Sequence, residues 1–320
     1  MNKFIIKYWF LLGLAVALVA GYWFAAELDG LSSNVWLRRV VVMVVMFLMA
    51  LPLSFNVIAK TVRHPWPALL ASAINFGLLP VIAWLFSGLL DSFSAAGLLV
   101  AAAAPGTLAS AAVWTRRAGG NEVTALMTTV ITNGLCFVVT PLLVFLMLNA
   151  MADIGPAEMT GRLALLVLVP ICVAQLCRIH PGTASWATVN KTMLGVLAQI
   201  GILIIVLLGT SQTTLRLPAD QMPGWLSIVW IGVVCAIVHV AALASGFVVA
   251  RLLGMPREEQ IAVAISGSQK TLMVGLLVCL MLNITLLPMV IYHAVQLVCD
   301  TLFADWARRQ SPDNQAGPIS

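Results

Sequence analysis

Ten long apolar segments dominate this sequence of 320 residues. Each comes close to the roughly 20 residues that a helix needs to cross the hydrocarbon core of a bilayer. No water is present there to hydrogen-bond an open backbone, so such segments form helices. The segments are 5–26, 36–59, 67–90, 93–116, 123–150, 161–178, 190–210, 224–252, 259–281 and 284–304. The sequence therefore predicts an all-α membrane protein with ten transmembrane helices.

The composition excludes a soluble fold. Hydrophobic residues make up 61% of the chain and charged residues only 9%, whereas a soluble domain carries about 25% charged residues. The net charge of +5 does not indicate a nucleic-acid partner, because the basic residues occur in ones and twos between apolar runs. We expect membrane lipid to surround the protein. The apolar run 8–26 is too long for a cleaved signal peptide, so we interpret it as the first span.

The distribution of lysine and arginine predicts the topology. With the N-terminus inside, twelve of the seventeen basic residues fall on the inside, as the positive-inside rule requires. The outer segments hold Arg38, Arg39, Arg162 and Arg216, and Lys270 belongs to neither side. We expect a multi-pass protein of a bacterial inner membrane with both termini in the cytoplasm. Residues 311–320 are polar and are predicted to be a disordered tail.

The two halves of the chain are predicted to form an inverted repeat. Five spans in residues 1–150 place the second half, 155–307, in the opposite orientation, as in many secondary transporters. The fourth and ninth spans both carry helix-disrupting residues near their middle, at 105–107 and 266–271. We expect two discontinuous helices that cross. Matched interruptions of this kind indicate a binding site.

Lys270 lies within the ninth span, where a lysine costs about 2.5–3.5 kcal/mol on insertion scales. One interpretation is structural: the lysine pairs with carbonyl groups or an acid for folding alone. The other is a fixed or switchable positive charge in the substrate or ion pathway. We favour the second interpretation, because polar residues accompany the lysine.

Those polar residues cluster at the interruptions and on the fifth span. A single serine or threonine usually bonds to its own helix backbone, and small polar residues also pack helices together. Thr124, Thr128 and Thr132 are four residues apart and share one face. Taken together, the cluster favours a substrate or ion site. The predicted members besides Lys270 are Asn75, Thr107, Ser110, Asn121, Thr128, Thr129, Thr132, Asn133, Ser266, Ser268, Gln269 and Thr271.

His239 and His293 lie in the eighth and tenth spans, and Asp300 follows His293 on the same face. Each histidine either bonds to a neighbour or takes part in a proton relay. The sequence has no HExxH motif, Walker loop or catalytic triad order. The six cysteines lie in apolar runs without CxxC spacing. We therefore predict neither an enzyme nor a cofactor.

Two segments of the sequence resemble the bile acid:sodium symporter family. One runs from Ala104 through Pro105 to Ser110 and continues through 115–121 to Thr140-Pro141. The other is Gly-Ser-Gln-Lys-Thr at 267–271, which is most similar to a divergent branch of that family. The ten-helix plan extends the resemblance over nearly the whole chain.

The resemblance implies a panel of helices 1, 2, 6 and 7 packed against a core of helices 3–5 and 8–10. The broken fourth and ninth helices would cross within the core. Substrate would bind between panel and core, and rigid-body motion would give alternating access. Members of the family typically move steroid-like or carboxylate-bearing organic anions together with sodium.

The chain departs from the sodium-coupled members of that family at three positions. Ile265 stands where they have glutamate, Ala111 where they have asparagine and Ala125 where they have serine. Thr129 and Gln269 match positions that bind sodium in relatives, but a hard cation prefers carboxylate oxygen. We expect sodium-independent, or proton-linked, transport of a small organic anion, with the Lys270 ammonium in the place of a sodium ion. The alternative is a non-transporting membrane regulator or scaffold.

Overall fold

The computed structural model describes residues 3–53, 64–108, 110–148, 154–216 and 223–310. Every regular element in these residues is a helix, which confirms the all-α prediction for them. The helices are α1 (Lys3–Trp23), α2 (Asp29–Ser32), α3 (Val35–Ala50), α4 (Trp66–Ser87), α5 (Ser92–Ala103), α6 (Ser110–Arg117), α7 (Glu122–Leu148), α8 (Pro156–Cys177), α9 (Pro181–Val189), α10 (Lys191–Arg216), α11 (Trp225–Leu252), α12 (Arg257–Ser268), α13 (Leu272–Leu282) and α14 (Leu287–Arg309). The tail 311–320 and the end of the predicted second span lie outside the described residues.

Seven segments of the described chain are long and apolar enough to cross a membrane. They are α4, α7, α8, α10, α11, the pair α12–α13 counted as one, and α14. Two shorter apolar helices are Trp9–Trp23 and Ser92–Ala103. A multi-pass membrane protein agrees with these lengths. The count of ten spans and the inverted repeat remain predictions.

Both predicted interruptions are present in the structure. Helix α5 ends at Ala103 and α6 begins at Ser110, because Pro105 has no backbone N–H and Ala104 adopts an extended conformation. Helix α12 ends at Ser268 and α13 begins at Leu272 after an extended stretch. The two breaks meet: the Thr271 N–H donates to the Pro105 carbonyl at 2.8 Å.

Helix α4 contains a single π turn, Ile74–Leu78, in its middle. The Leu79 N–H donates to the Ile74 carbonyl, one residue further back than in an α-helix. The next residue is Pro80, which has no N–H to donate. The carbonyl of Asn75 is therefore left without a partner inside its own helix. This free oxygen faces the breaks, as described below.

Protein surrounds the interrupted helix α12–α13, since the most apolar stretch of Arg257–Leu282 is entirely buried. Its closest neighbour is α11, and α4, α6 and α7 also pack against it. A Cβ added at Gly246 of α11 would lie 3.0 Å from the Cα of Ala264, so glycine is needed for this close approach. The second break is thus enclosed at the centre of the helix bundle.

Candidate functional site

The ammonium of Lys270 lies at the junction of the two breaks and is completely buried. Its Nζ donates to the backbone oxygen of Asn75 at 2.6 Å, to Asn75 Oδ1 at 3.0 Å and to the carbonyl of Ala104 at 2.8 Å. An ammonium has three N–H donors, and here three oxygens accept them. A neutral amine would have only two hydrogens for the same three oxygens. The geometry therefore fits the charged form.

Two of the three oxygens that stabilise the Lys270 ammonium are backbone carbonyl oxygens. The Asn75 carbonyl is the one released by the π turn and Pro80, and Ala104 follows the last residue of α5, where carbonyls lack partners within the helix. Those last carbonyls also carry the negative end of the helix dipole. The ring centroid of Phe76 lies 5.5 Å from Nζ. Among the described residues, no carboxylate pairs with Lys270.

Two buried amides fix the backbone of the second break. The side chain of Asn75 donates from Nδ2 to the carbonyl of Gln269 at 2.8 Å. Gln296 of α14 accepts the Lys270 N–H at 2.9 Å through Oε1 and donates to the Lys270 carbonyl at 3.0 Å through Nε2. The extended residues at this break are therefore held from two sides, which positions the Lys270 side chain.

The side chain of Gln269 links the two breaks to a buried carboxylate. Its Oε1 accepts from Thr107 Oγ1 at 2.6 Å and from Ser110 Oγ at 3.0 Å. Its Nε2 donates to Asp300 Oδ2 at 2.5 Å, and Asp300 Oδ1 lies 3.1 Å from His239 Nε2. Asp300 and His239 are both fully buried. A continuous hydrogen-bonded chain therefore runs from the first break to α11.

Polar side chains of α7 support the first break. Thr129 Oγ1 donates to the carbonyl of Thr107 at 3.0 Å, and Thr132 Oγ1 accepts the N–H of Gly106 at 3.3 Å. Asn133 Nδ2 donates to the Gly106 carbonyl at 2.9 Å. These bonds take up backbone groups that the missing helical turn leaves free.

The remaining predicted residues have other contacts. Ser266, Ser268 and Thr128 bond back to their own helix backbones, and Thr271 contributes its backbone N–H. Asn121, at the start of α7, donates to Glu259 Oε1 at 2.7 Å. Ser266 Oγ also donates to Thr128 Oγ1 at 3.5 Å. These residues therefore stabilise α7 and α12 and the contact between them, and their side chains do not join the two breaks.

The two predicted relay histidines reach the second break through different residues, His239 through Asp300 and His293 through Gln296. His239 faces Asp300, while His293 Nδ1 lies 2.9 Å from Gln296 Nε2. The sequence pattern relates Asp300 to His293, whereas in the structure Asp300 contacts His239. Gln296 is not among the predicted residues, although a glutamine in an apolar span is unusual enough to have identified it. The Ala104 carbonyl, which accepts from Lys270, is a backbone group, so no side-chain pattern in the sequence could have identified it.

A cavity of about 440 Å³ adjoins the first break. We call it the inner cavity; it lies between α7 and α8 and is lined by Leu108, Val130, Asn133, Gly134, Leu168, Ile171, Cys172, Gln175, Leu176 and Ile179. Its volume falls in the range of small-molecule pockets. Asn133 is 2% exposed, and its Oδ1 has no hydrogen-bond partner among the described residues. The cavity therefore offers an apolar wall with one unused acceptor.

Comparison with known proteins gives consistent matches. A model of the SBF-like CPA transporter family matches residues 8–309. The chain is 29% identical to the uncharacterized protein PA2026 of Pseudomonas aeruginosa over 287 residues, which cover 86% of this chain and 85% of the relative. It is 27% identical to YfeH of Escherichia coli over 260 residues, 79% and 77% of the two chains. It is 22% identical to sodium/bile acid cotransporter 7 of Rattus norvegicus over 332 residues, 97% and 95% of the two chains.

Proposed function

The chain belongs to the SBF-like CPA transporter family, and we propose on that basis that it is a secondary active transporter of a small organic anion. The resemblance found in the sequence is confirmed by this family match.

We propose further that ten spans form two inverted repeats, with helices 1, 2, 6 and 7 as a panel and helices 3–5 and 8–10 as a core. Alternating access would then follow from rigid-body motion of core against panel.

The inner cavity is the proposed substrate site. It lies between α7, a helix of the proposed core, and α8, a helix of the proposed panel. Its walls are almost entirely apolar, which suits a solute with a hydrophobic body, and Asn133 Oδ1 is free to accept a hydrogen bond. Arg178, which follows α8 and precedes the lining residue Ile179, is half-buried and donates from Nη1 to the Leu51 carbonyl at 2.8 Å. A carboxylate-bearing or bile-acid-like anion fits this combination.

One observation carries the proposed coupling: the Lys270 ammonium is held by three oxygens where the two breaks meet. We propose that this ammonium takes the part of a bound sodium ion. Gln269 Oε1 already accepts from two hydroxyl groups, and Thr129 Oγ1 already donates to Thr107. Ile265, at the position of the missing acid, is buried and apolar. These residues therefore provide few free oxygen ligands, and no carboxylate, for a hard cation such as sodium.

We propose the proton as the coupling ion of transport without sodium. The buried pair of Asp300 and His239 is hydrogen-bonded to the breaks through Gln269. We propose that this pair carries the coupled proton, because intramembrane ionisable residues of this kind mark proton pathways in transporters. His293 contacts the second break through Gln296 and is not required by this proposal.

Uptake by purified protein in liposomes tests the proposal. We expect accumulation of a radiolabelled carboxylate from a panel that includes cholate, equal in sodium and choline media and increased by an inwardly directed proton gradient. A strict sodium requirement would overturn the proposed role of Lys270. Failure to exchange any labelled anion across the membrane would overturn transport itself and favour the regulator or scaffold alternative.

A further inference from the structure

The amide of Gln296 has a fixed orientation, because both of its contacts at the second break are backbone groups. The Lys270 N–H can only donate, and it lies 2.9 Å from Gln296 Oε1. The Lys270 carbonyl can only accept, and it lies 3.0 Å from Gln296 Nε2. Exchanging the oxygen and the nitrogen of the amide would lose both bonds. We call this pair of hydrogen bonds the Gln296 clamp; it holds the backbone of the break at Lys270.

The clamp also fixes the hydrogen of a neighbouring histidine ring. An amide nitrogen has two hydrogens and no free lone pair to accept with. One hydrogen of Gln296 Nε2 goes to the Lys270 carbonyl, and His293 Nδ1 lies 2.9 Å from the same nitrogen. His293 Nδ1 therefore accepts the second hydrogen. In this arrangement the ring is neutral, with its own N–H at His293 Nε2.

A proton bound at His293 Nδ1 is incompatible with the clamp. Both nitrogens of a charged imidazole carry hydrogens, so the Nδ1–H group would point at the N–H of Gln296. The amide cannot turn over to present its oxygen, because its nitrogen would then face the Lys270 N–H and its oxygen the Lys270 carbonyl. Relief of this repulsion requires the ring or the amide to move away.

Packing opposes movement of the ring. The ring of Phe10 on α1 contacts the His293 ring edge-on, with centroids 6.1 Å apart and planes at 88°. Phe10 is itself buried. A His293 ring that turned away from Gln296 would give up this contact. Displacement of the amide is the alternative, and it releases the backbone of the break. The contact also joins α1 of the proposed panel to α14 of the proposed core.

Gln296 is the one hydrogen-bond partner of His293 among the described residues. No other titratable side chain on the described elements around this part of α14 is bonded to the His293 ring. These side chains are Lys270 of the break, Tyr22 of α1, Arg116 and Arg117 of α6, Cys235 and His239 of α11, Cys279 of α13, and Tyr292, Cys299 and Asp300 of α14. Protonation of His293 therefore acts directly on one hydrogen bond, the bond from Gln296.

We propose that His293 is a positioning residue of the second break: its neutral ring holds the Gln296 clamp, and a proton added to the Nδ1 lone pair opens it. This proton differs from the coupled proton of Asp300 and His239, which reaches the break through the side chain of Gln269. The inference rests on the proposed function in one respect. Opening the clamp frees the backbone that positions the Lys270 ammonium, so acid pH should slow transport.

Hydrogen exchange of the Lys270 N–H tests the clamp without any substrate. This N–H donates to Gln296 Oε1, so it exchanges when the clamp opens. Purified wild-type protein is compared at about pH 7.5 and about pH 5.5, on either side of the ordinary pKa of histidine. Peptides covering residues 266–272 are measured by mass spectrometry, and rates are corrected for the intrinsic pH dependence of exchange. We expect protection of Lys270 to fall about tenfold at the lower pH, as the loss of a hydrogen bond implies.

Two substitutions assign the titrating group. His293→Asn can place a side-chain oxygen near the position of Nδ1, where it accepts from Gln296 and does not titrate. We expect this variant to protect Lys270 equally at both pH values. His239→Gln removes the other buried histidine of this region and should keep the full fall in protection. His293→Leu has no acceptor and should show reduced protection at both pH values.

Transport gives a second measurement. Exchange of labelled taurocholate, whose sulfonate stays ionised, is measured in liposomes with the same pH on both sides. We expect the rate to fall at about pH 5.5 in wild type, and to fall less in His293→Asn.

The proposal is overturned by full protection of Lys270 in wild type at the lower pH, by the same fall in His293→Asn, or by loss of the fall in His239→Gln. A slowing of exchange at acid pH that is equal in wild type and His293→Asn would also contradict it. A fall in protection that depends on His293, in a wild-type protein that transports no anion, would support the clamp and refute the proposed transport.

Discussion

Lys270 and Asn75 form two hydrogen bonds, since the ammonium donates to both the backbone oxygen and the side-chain oxygen of the asparagine. The two residues are 195 positions apart in the chain. Asn75 also donates to the carbonyl of Gln269, beside Lys270. The π turn of α4 and the break between α12 and α13 are therefore one polar unit in an apolar bundle.

Replacing Lys270 by methionine should abolish uptake and also lower stability. The substitution leaves three buried acceptors without donors, and each unpaired buried acceptor costs about 1–3 kcal/mol. We expect the free energy of unfolding to fall by about 3 kcal/mol or more, measured by chemical denaturation in detergent. Lys191→Met, at an exposed lysine, is the control and should change little. Wild-type stability in Lys270→Met would contradict the three-acceptor geometry.

Asp300→Asn and His239→Gln should be strongly non-additive. Residues in one hydrogen-bond network show interaction energies of about 0.5–3 kcal/mol in a double-mutant cycle, and this pair is fully buried at 3.1 Å. The exposed pair Arg117 and Asp305 is a matched comparison at 2.8 Å. Its coupling energy should lie in the range of about 0.2–1 kcal/mol that exposed pairs show. Equal coupling energies for the two pairs would show that burial adds nothing here.

Gly246→Ala should destabilise the contact between α11 and α12. The new methyl group would lie 3.0 Å from Ala264 Cα and 3.3 Å from the Val263 carbonyl oxygen, and neither backbone atom can rotate away. We expect a loss of about 1–3 kcal/mol from overpacking, visible as a lower midpoint of thermal unfolding. Gly195→Ala meets no neighbouring atom, so it should be neutral or stabilising by about 0.5–1 kcal/mol through helix propensity.

Asp91 should stabilise the start of α5 in a pH-dependent way. Partial burial alone would raise the pKa of this carboxyl, but hydrogen bonds from Ser94 and from the Phe93 N–H outweigh burial and hold the pKa below its usual value. Because the folded pKa is lowered, the stabilisation is complete above the unfolded pKa of about 3.9 and is lost as pH falls through the folded pKa. Thermal unfolding between about pH 2 and pH 6, a window that extends below the unfolded pKa, should show this loss.

Two substitutions isolate this carboxylate. Asp91→Ala should cost about 1 kcal/mol at neutral pH, as the loss of an N-cap does. Asp91→Asn keeps a capping oxygen that does not titrate, so its stability should lack the Asp91 contribution to the pH dependence. An identical acid profile for wild type and Asp91→Asn would contradict the assigned role.

The helix breaks could be predicted from sequence because proline and glycine act locally. Pro105 has no N–H for a helical bond, and the glycine-containing segment around Lys270 has low helix propensity, so both favour a break. Proline alone is not decisive, since Pro80 and Pro141 lie inside α4 and α7. The contacts between the breaks could not be predicted in the same way. One of the three partners of Lys270 is a carbonyl released by a π turn, and the residue that cannot bond to it is Pro80, which is not polar.

Contacts between side chains that are far apart in the sequence could not be predicted either. Asp300 and His239 lie 61 residues apart on different helices, and no periodicity relates them. Of the predicted face of Thr124, Thr128 and Thr132, only Thr132 reaches the first break. Thr128 bonds to its own helix and accepts from Ser266 Oγ, while Thr129, which lies outside that face, also reaches the break. Sequence spacing identifies a face of a helix; packing decides which partner each member of that face has.

The burial of α12–α13 on every side has a consequence for biogenesis. A helix with a lysine at its centre enters lipid from the translocon only at a cost in free energy. In the folded protein, the most apolar stretch of α12–α13 is completely buried and does not contact lipid. Both residues that ligate the amine, Asn75 and Ala104, belong to helices synthesised earlier. We expect α4 and α5 to be in the membrane before α12–α13 is synthesised and to bind it as it emerges. In a fragment without α4 and α5, α12–α13 should therefore be accessible to protease in membrane vesicles.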